Sequence, residues 1–346
     1  MKSVKEIVVA SLLLGLSSLH SQGVAPGSEA FDKYWRQGKA ELNRFKLSQN
    51  RYGETREGDA VLIFVVEDFL PGKQVKYEGR DPRGAGAVPV LKLNQLRKFQ
   101  TGIYDYSMML SVFSPLDLVS RHLTLKASAS VQDWCGHVWQ QVNLRKNGYE
   151  VQLHSYFQKE ADKRSLVPKA FLVDEVWTRI RLDPRSLPTG GFDVLPSLFQ
   201  ARLLHLPLKP AKALGKRTDL FDGMSSYELR IPSQGRSLKI TYETQFPHRI
   251  DSFFERWKGK DGKVHETKGV RTHLVLLDYW TRHGKKDNPL RRRLGLDVER
   301  GSKSGPKEKG SGIGGAGGKG SGGRGAGSNK DGNKGTPGQG AEGKKG

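Results

Sequence analysis

The sequence predicts a mainly β protein: two lobes of curved antiparallel sheet joined by one helix, with a short N-terminal helix and a disordered Gly/Lys tail. Three observations predict it. Extended β-branched and aromatic runs recur along the chain with turn residues between them. One run, LTLKASASV, alternates, with Leu123, Leu125, Ala127, Ala129 and Val131 on one side and Thr124, Lys126, Ser128 and Ser130 on the other. That is the signature of a sheet with one wet face. A single long stretch, PKAFLVDEVWTRIRLDP, changes to a helical period.

The elements follow in order. MKSVK carries positive charge, Ile7–Leu19 carries none, and small Ser21 precedes Gln22. The run falls short of the about 20 residues a transmembrane helix needs, so residues 1–21 read as a signal peptide. A buried core strand or helix is the alternative. Residues 22–30 are a linker. EAFDKYWRQGKAEL places Phe31, Tyr34, Trp35 and Leu42 at helical spacing, and Gly38 ends the helix early. Residues 31–168 then form the N-terminal β lobe. Its runs include NRFKLSQNRYG, DAVLIFVVEDF, VPVLKLN, FQTGIYDYSMMLSVF, HVWQQVNL and YEVQLHSYF, with SPLD, CG and KNG as turns.

Residues 169–184 are the joining helix. Leu172, Val173, Val176, Trp177 and Ile180 share one face, Pro168 stands near the start and Pro184 beyond the end. The C-terminal β lobe covers 185–296. FDVLPSLFQARLLHLPLK, SYELRIPS, RSLKITYET, HRIDSFFERW and GVRTHLVLLDYWTRHG are its strand candidates. Residues 297–346 are a basic Gly-rich tail that will not fold alone.

Composition narrows the function classes. The chain has 346 residues, one cysteine and a net charge of +22. One cysteine forms no internal disulfide, so packing alone holds the domains. From Gly301 onward there are nine Lys/Arg against three acidic residues, which leaves +16 on the rest. Such a field attracts polyanions. Outside the cytosol these are anionic envelope lipid or polysaccharide rather than nucleic acid. A merely solvated basic surface is the alternative. No cofactor is expected: GIGGAG in the tail has neither the leading strand nor the following helix of a dinucleotide fingerprint.

Three groups of residues invite a chemical reading. SVQDWCGHVW sets Asp133, Cys135 and His137 at alternate positions. On an extended strand they share a face, as an acid, a thiol and a base. A packed turn, with Asp133 as its cap, is the other reading. A metal site joining His137 and His154 lacks the usual ligand spacings, so no metal is expected. Glu67 and Asp68 end a strand. Tyr104, Tyr106, Met108 and Met109 are candidate groove-lining residues, and Arg291, Arg292 and Arg293 beside aromatics are candidates to hold an anionic head group.

YWRQGKAELNRFKLSQNRYGETREGDAVLIFVVEDF, VPVLKLN, FQTGIYDYSMM, SVQDWCGHVW, SYFQKEAD, VWTRIRLDPRSLPTG and FPHRIDSF resemble an uncharacterised family of bacterial exported or lipoprotein-like envelope proteins. The resemblance runs from about Phe31 to Leu296. The family has Glu where this chain has Asp133, and its lipid-anchoring cysteine has no counterpart here. Some relatives carry the label septum formation inhibitor Maf, which would imply a nucleotide pyrophosphatase. True Maf proteins open with a strand and a Ser-x-x-Arg loop, and this chain does not. The resemblance implies export to the periplasm, outer-membrane surface or exterior. The expected function is a non-enzymatic binding or structural role. A hydrolase using Cys135 and His137, or the pyrophosphatase, is the alternative.

Overall fold

The computed structural model describes residues 24–259 and 261–296; the expected signal peptide (1–21) and basic tail (297–346) lie outside the described residues. Helix α1 (Glu29–Trp35) leads into β1 (Ala40–Arg51), β2 (Glu54–Leu70), β3 (Val75–Lys76), β4 (Val88–Thr101) and β5 (Tyr104–Pro115). Then come β6 (Lys126–Asp133), β7 (Gly136–Arg145), β8 (Gly148–Ser155), β9 (Lys163–Val167) and β10 (Phe171–Leu172). A 3-10 turn (Val173–Glu175) runs straight into α2 (Val176–Leu182), followed by β11 (Gly190–Leu195) and α3 (Leu198–Leu203). The second run of strands is β12 (Ala211–Asp219), β13 (Met224–Ile231), β14 (Arg236–Glu243), β15 (Ile250–Lys258) and β16 (Val264–Leu277).

The protein is mainly β, a large curved sheet that does not close. Its order is β10-β11-β12-β13-β14-β15-β16-β1-β2-β4-β5-β6-β7-β8-β9, with β3 beside β2. Among the described residues only β10–β11 is parallel. The two β segments of the sequence are wings of this one sheet. They meet where β1 pairs with β16, Ala40 opposite Leu277 and Ser48 opposite Lys268. No helix among the described residues is long and apolar enough to cross a membrane, which leaves membrane crossing by strands unaddressed.

Local chemistry explains most elements. Ser28 caps α1 by accepting from the Phe31 N–H, and Gly38 turns the chain at φ 72°. Ala127, Ala129 and Val131 of β6 are buried while Ser128 and Ser130 are half-exposed, so the alternation marks the inner face. Leu125, just before the strand, instead packs on the other face with Phe69, Val88 and Val90.

Two expectations need correction. The joining helix is shorter than 169–184, because residues 171–172 pair as β10 and the helical turn starts only at Val173. Glu175 accepts from the Leu172 N–H at 2.8 Å and fixes that start. Within FDVLPSLFQARLLHLPLK, expected as one strand, Pro196 ends β11 and the chain coils into α3. Asp174 Oδ2 accepts from the Leu198 N–H at 2.8 Å and stands in for a helix cap.

All three helices sit on the inner face, against the hydrophobic core. Helix α2 is buried on every side, including Thr178, Arg179 and Arg181. Its polar face survives by pairing. Arg181 forks onto the Glu41 carboxylate of β1, with Nη2 to Oε2 at 2.7 Å, and its Nε donates to the Pro247 carbonyl at 2.9 Å. A second buried fork joins Arg97 of β4 to Glu255 of β15, at 2.5 and 3.0 Å. A buried fork of this kind adds little net stability, because desolvation offsets the Coulombic gain. On the outer face, Leu294 from the 3-10 stretch Lys285–Leu294 covers Ala40, Leu42, Val65 and Val275.

Candidate functional site

The segment 133–137 is a turn. Asp133 pairs with Gly136, and Gln132 with His137, across the β6–β7 hairpin. Asp133 Oδ1 accepts from the N–H groups of Cys135 at 2.7 Å and Gly136 at 3.1 Å, so its carboxylate is spent on capping. Asp133 is buried on the inner side, whereas His137 is exposed and, as partner of Gln132, points to the outer one. Cys135 is exposed at the tip. The structure therefore does not assemble the three into an acid–base–thiol relay, because the chain reverses where the shared-face reading needs it straight.

His154 faces Trp139 on the neighbouring strand, 5.4 Å between rings, and its Nδ1 lies 3.1 Å from Asp162. Among the described residues no three His, Cys, Asp or Glu side chains gather as a metal set. Glu67 is occupied by Lys76 and Lys92, at 3.5 and 3.3 Å.

The four candidate lining residues divide between the faces. Tyr106 and Met108 are buried in the core, and Tyr106 stacks on Phe99 at 4.9 Å. Met109 points outward. Tyr104 stands at the end of the sheet in a hydroxyl cluster. Its OH lies 3.3 Å from that of Tyr52, which lies 2.8 Å from that of Tyr106, and Arg51 Nε donates to Tyr106 at 3.1 Å. Burial, together with its hydrogen bond to Tyr52, pushes the Tyr106 hydroxyl far up, so it stays a neutral donor and acceptor. Arg291, Arg292 and Arg293 lie in the outer-face stretch capped by Leu294, so the fold keeps them apart from the tyrosines.

A groove of about 580 Å³ lies between α3 and the β7–β9 edge of the sheet. Val151, Leu153 and Val167 line the strand side; Ala201, Leu206 and Leu208 line the other. Gln140 of β7 donates to the Leu198 carbonyl at 2.6 Å and clamps α3 over the strands. Lys159, Lys163 and Lys209 also line it, together with Glu160, Ser165 and His205. The volume falls within the roughly 300–1,000 Å³ of ordinary small-molecule sites.

Arg202 is the polar centre of this groove. It is only 4 % exposed. Its guanidinium stacks over Phe157 at 4.4 Å, and its Nη1 lies 4.0 Å from Glu160. Neither its Nε nor its Nη1 has a hydrogen-bond partner. Glu160 leans elsewhere, toward the Ser155 hydroxyl and His205 Nδ1, both at 2.5 Å. Burial alone would raise the Glu160 pKa, but these hydrogen bonds and the nearby cations overcome it and hold the carboxyl below its usual range. Desolvation lowers the Arg202 pKa, yet a guanidinium still carries its charge at neutral pH. The site therefore offers two buried unused N–H donors on a fixed cation, above an apolar floor.

The sequence reading missed this site. Its residues come from β7, β8, β9 and α3, and no local motif links them. Arg202 fell inside a run taken for a strand, where a charge is ordinary. Comparison with known proteins supplies no further guide. No family model matches the chain, and no curated protein or solved structure is significantly similar to it.

Proposed function

We propose that this is an exported, non-enzymatic binding protein of the cell envelope whose groove takes an amphiphile with an anionic head. The observation that carries the reading is Arg202. Glu160 at 4.0 Å offsets its charge but takes no hydrogen bond from it, so the Nε and Nη1 donors keep their desolvation penalty until a ligand anion meets them. Lys159, Lys163 and Lys209 in the same lining add attraction of the same sign. The apolar walls favour a lipid-like body over a polysaccharide, whose hydroxyls would find few partners on Val151, Leu153 and Leu208. The chain's charge of +22 draws such ligands in. The Cys135 turn contributes no relay, so a binding role needs no step there.

The test titrates the protein with myristate and with tetradecyltrimethylammonium, which share a chain and differ in head-group sign. Calorimetry reads the affinities. Myristate binds, and Arg202→Met weakens it by about 10- to 150-fold, the equivalent of about 1.5–3 kcal/mol for a hydrogen bond to a charged group. The ammonium binds no better to wild type than to the variant. Equal affinity for the two heads, or no effect of Arg202→Met, overturns the proposal.

A further inference from the structure

Every second turn of the sheet lies at one end, and four such turns stand side by side in the order β1–β2, β4–β5, β6–β7 and β8–β9. Each carries one large apolar or aromatic residue pointing into solvent. They are Tyr52 at 59 %, Ile103 at 85 %, Trp134 at 70 % and Tyr156 at 74 % exposure. Strands are about 4.8 Å apart, so neighbouring tips are about 10 Å apart and the row is about 30 Å long. Tyr52 and Gly53 take φ 56° and 80°, the double positive φ of a tight hairpin turn. Asparagine or glycine fits that backbone best, and the tyrosine there ties its hydroxyl to that of Tyr106 while its ring stays more than half exposed.

The groove meets the same rim. Lys159 and Glu160 of its lining lie in the β8–β9 connection. Arg51, next to Tyr52, donates from Nη1 to the Leu203 carbonyl at 2.7 Å and ties the end of α3 to that rim.

We propose that this rim docks the protein on an anionic lipid bilayer, with Tyr52, Ile103, Trp134 and Tyr156 seated among the head groups and the cationic end of the groove facing the lipid. Single apolar tips spaced along a line suit a planar interface, which each tip enters separately. A protein partner would call for one contiguous apolar patch. Tryptophan and tyrosine are the residues that settle at the head-group level. Attraction to the anionic surface comes from the charge of the whole chain, +22, and not from the rim turns, where Arg51, Lys159 and Lys163 stand beside Glu54, Asp105, Glu160 and Asp162. The purpose of docking rests on the amphiphile reading, but docking itself is measured without the groove.

The experiment is flotation of the protein with vesicles of phosphatidylcholine alone and of phosphatidylcholine mixed with phosphatidylglycerol. The proteins are wild type and the tip variant Ile103→Ser/Trp134→Ser/Tyr156→Ser. The tip side chains are exposed, and circular dichroism together with myristate binding checks that the variant is folded. Wild type floats with the anionic vesicles, and the tip variant loses at least about tenfold in partitioning while still binding myristate. Wild type that ignores both vesicles overturns the docking, as does a tip variant that floats unchanged. So does a dimer in sedimentation velocity that the tip substitutions dissolve, since the row is then a contact between copies. Failure of the groove reading alone shows as lost myristate binding with flotation intact.

Discussion

Replacing Asp174 with asparagine will make the protein more stable at neutral pH. Asp174 is fully buried under the N-terminus of α3, where its Oδ2 accepts from the Leu198 N–H at 2.8 Å. Burial is the dominant influence on its carboxyl, and the charge of Glu255 adds to it; together they push the pKa from 3.8 up to about 6. Between those values the native state holds a proton that the unfolded chain has released. Stability from this group is therefore greatest below about pH 4 and is lost as pH rises through about 6. A shift of about two units at 1.36 kcal/mol each amounts to about 3 kcal/mol. Asparagine keeps an acceptor for Leu198 and removes the charge. The assay is urea unfolding of both proteins from about pH 4 to about pH 8, analysed as the difference between them so that other carboxylates cancel. Asp174→Asn should gain steadily on wild type up to about pH 6 and then hold a constant lead. A constant difference across the whole range refutes the buried-carboxyl argument.

Other outcomes follow from the same geometry. Glu41→Gln leaves Arg181 charged and uncompensated in the core, and denaturant unfolding should show a loss of about 3–5 kcal/mol. A loss under about 1 kcal/mol would mean that water reaches that pair. Asp133→Ala removes the turn cap and costs about 1 kcal/mol, whereas Cys135→Ser at the exposed tip stays within about 0.5 kcal/mol of wild type. Comparable losses from both would give the thiol a packing role. Gly58→Ala sets a Cβ 2.2 Å from the Lys98 carbonyl and forces β2 from β4, for about 1–3 kcal/mol in the same assay. An unaffected midpoint would show that the strands part freely.

What could be read from the sequence was what depends on neighbours along the chain. Ala127, Ala129 and Val131 alternate because one face of β6 is buried, and that rule needs no tertiary knowledge. The α1 helix was legible from Phe31, Tyr34, Trp35 and Gly38, but Leu42, read at the same helical spacing, lies in β1. Helix α3 was not, because SLFQARLL is buried on every side, Gln200 and Arg202 included, so no wet face marks a helical period. The start of α2 escaped for a related reason: residues 171–172 have a strand partner in β11 that only the fold supplies. The trio at 133–137 misled through its assumption of an extended backbone; CG marks a turn, and Asp133 serves it. The groove was invisible because residues near 150, 165 and 205 meet only once β8, β9 and α3 are in place.

Photolabelling tests the central claim most directly. A diazirine analogue of myristate is incubated with the full chain, irradiated and mapped by peptide mass spectrometry. Insertion should fall on peptides containing Val151, Leu153, Val167 and Leu206–Leu208, and excess myristate should suppress it. Labels spread over the outer face around Leu294, or labels that myristate does not compete away, would contradict an anionic-amphiphile groove.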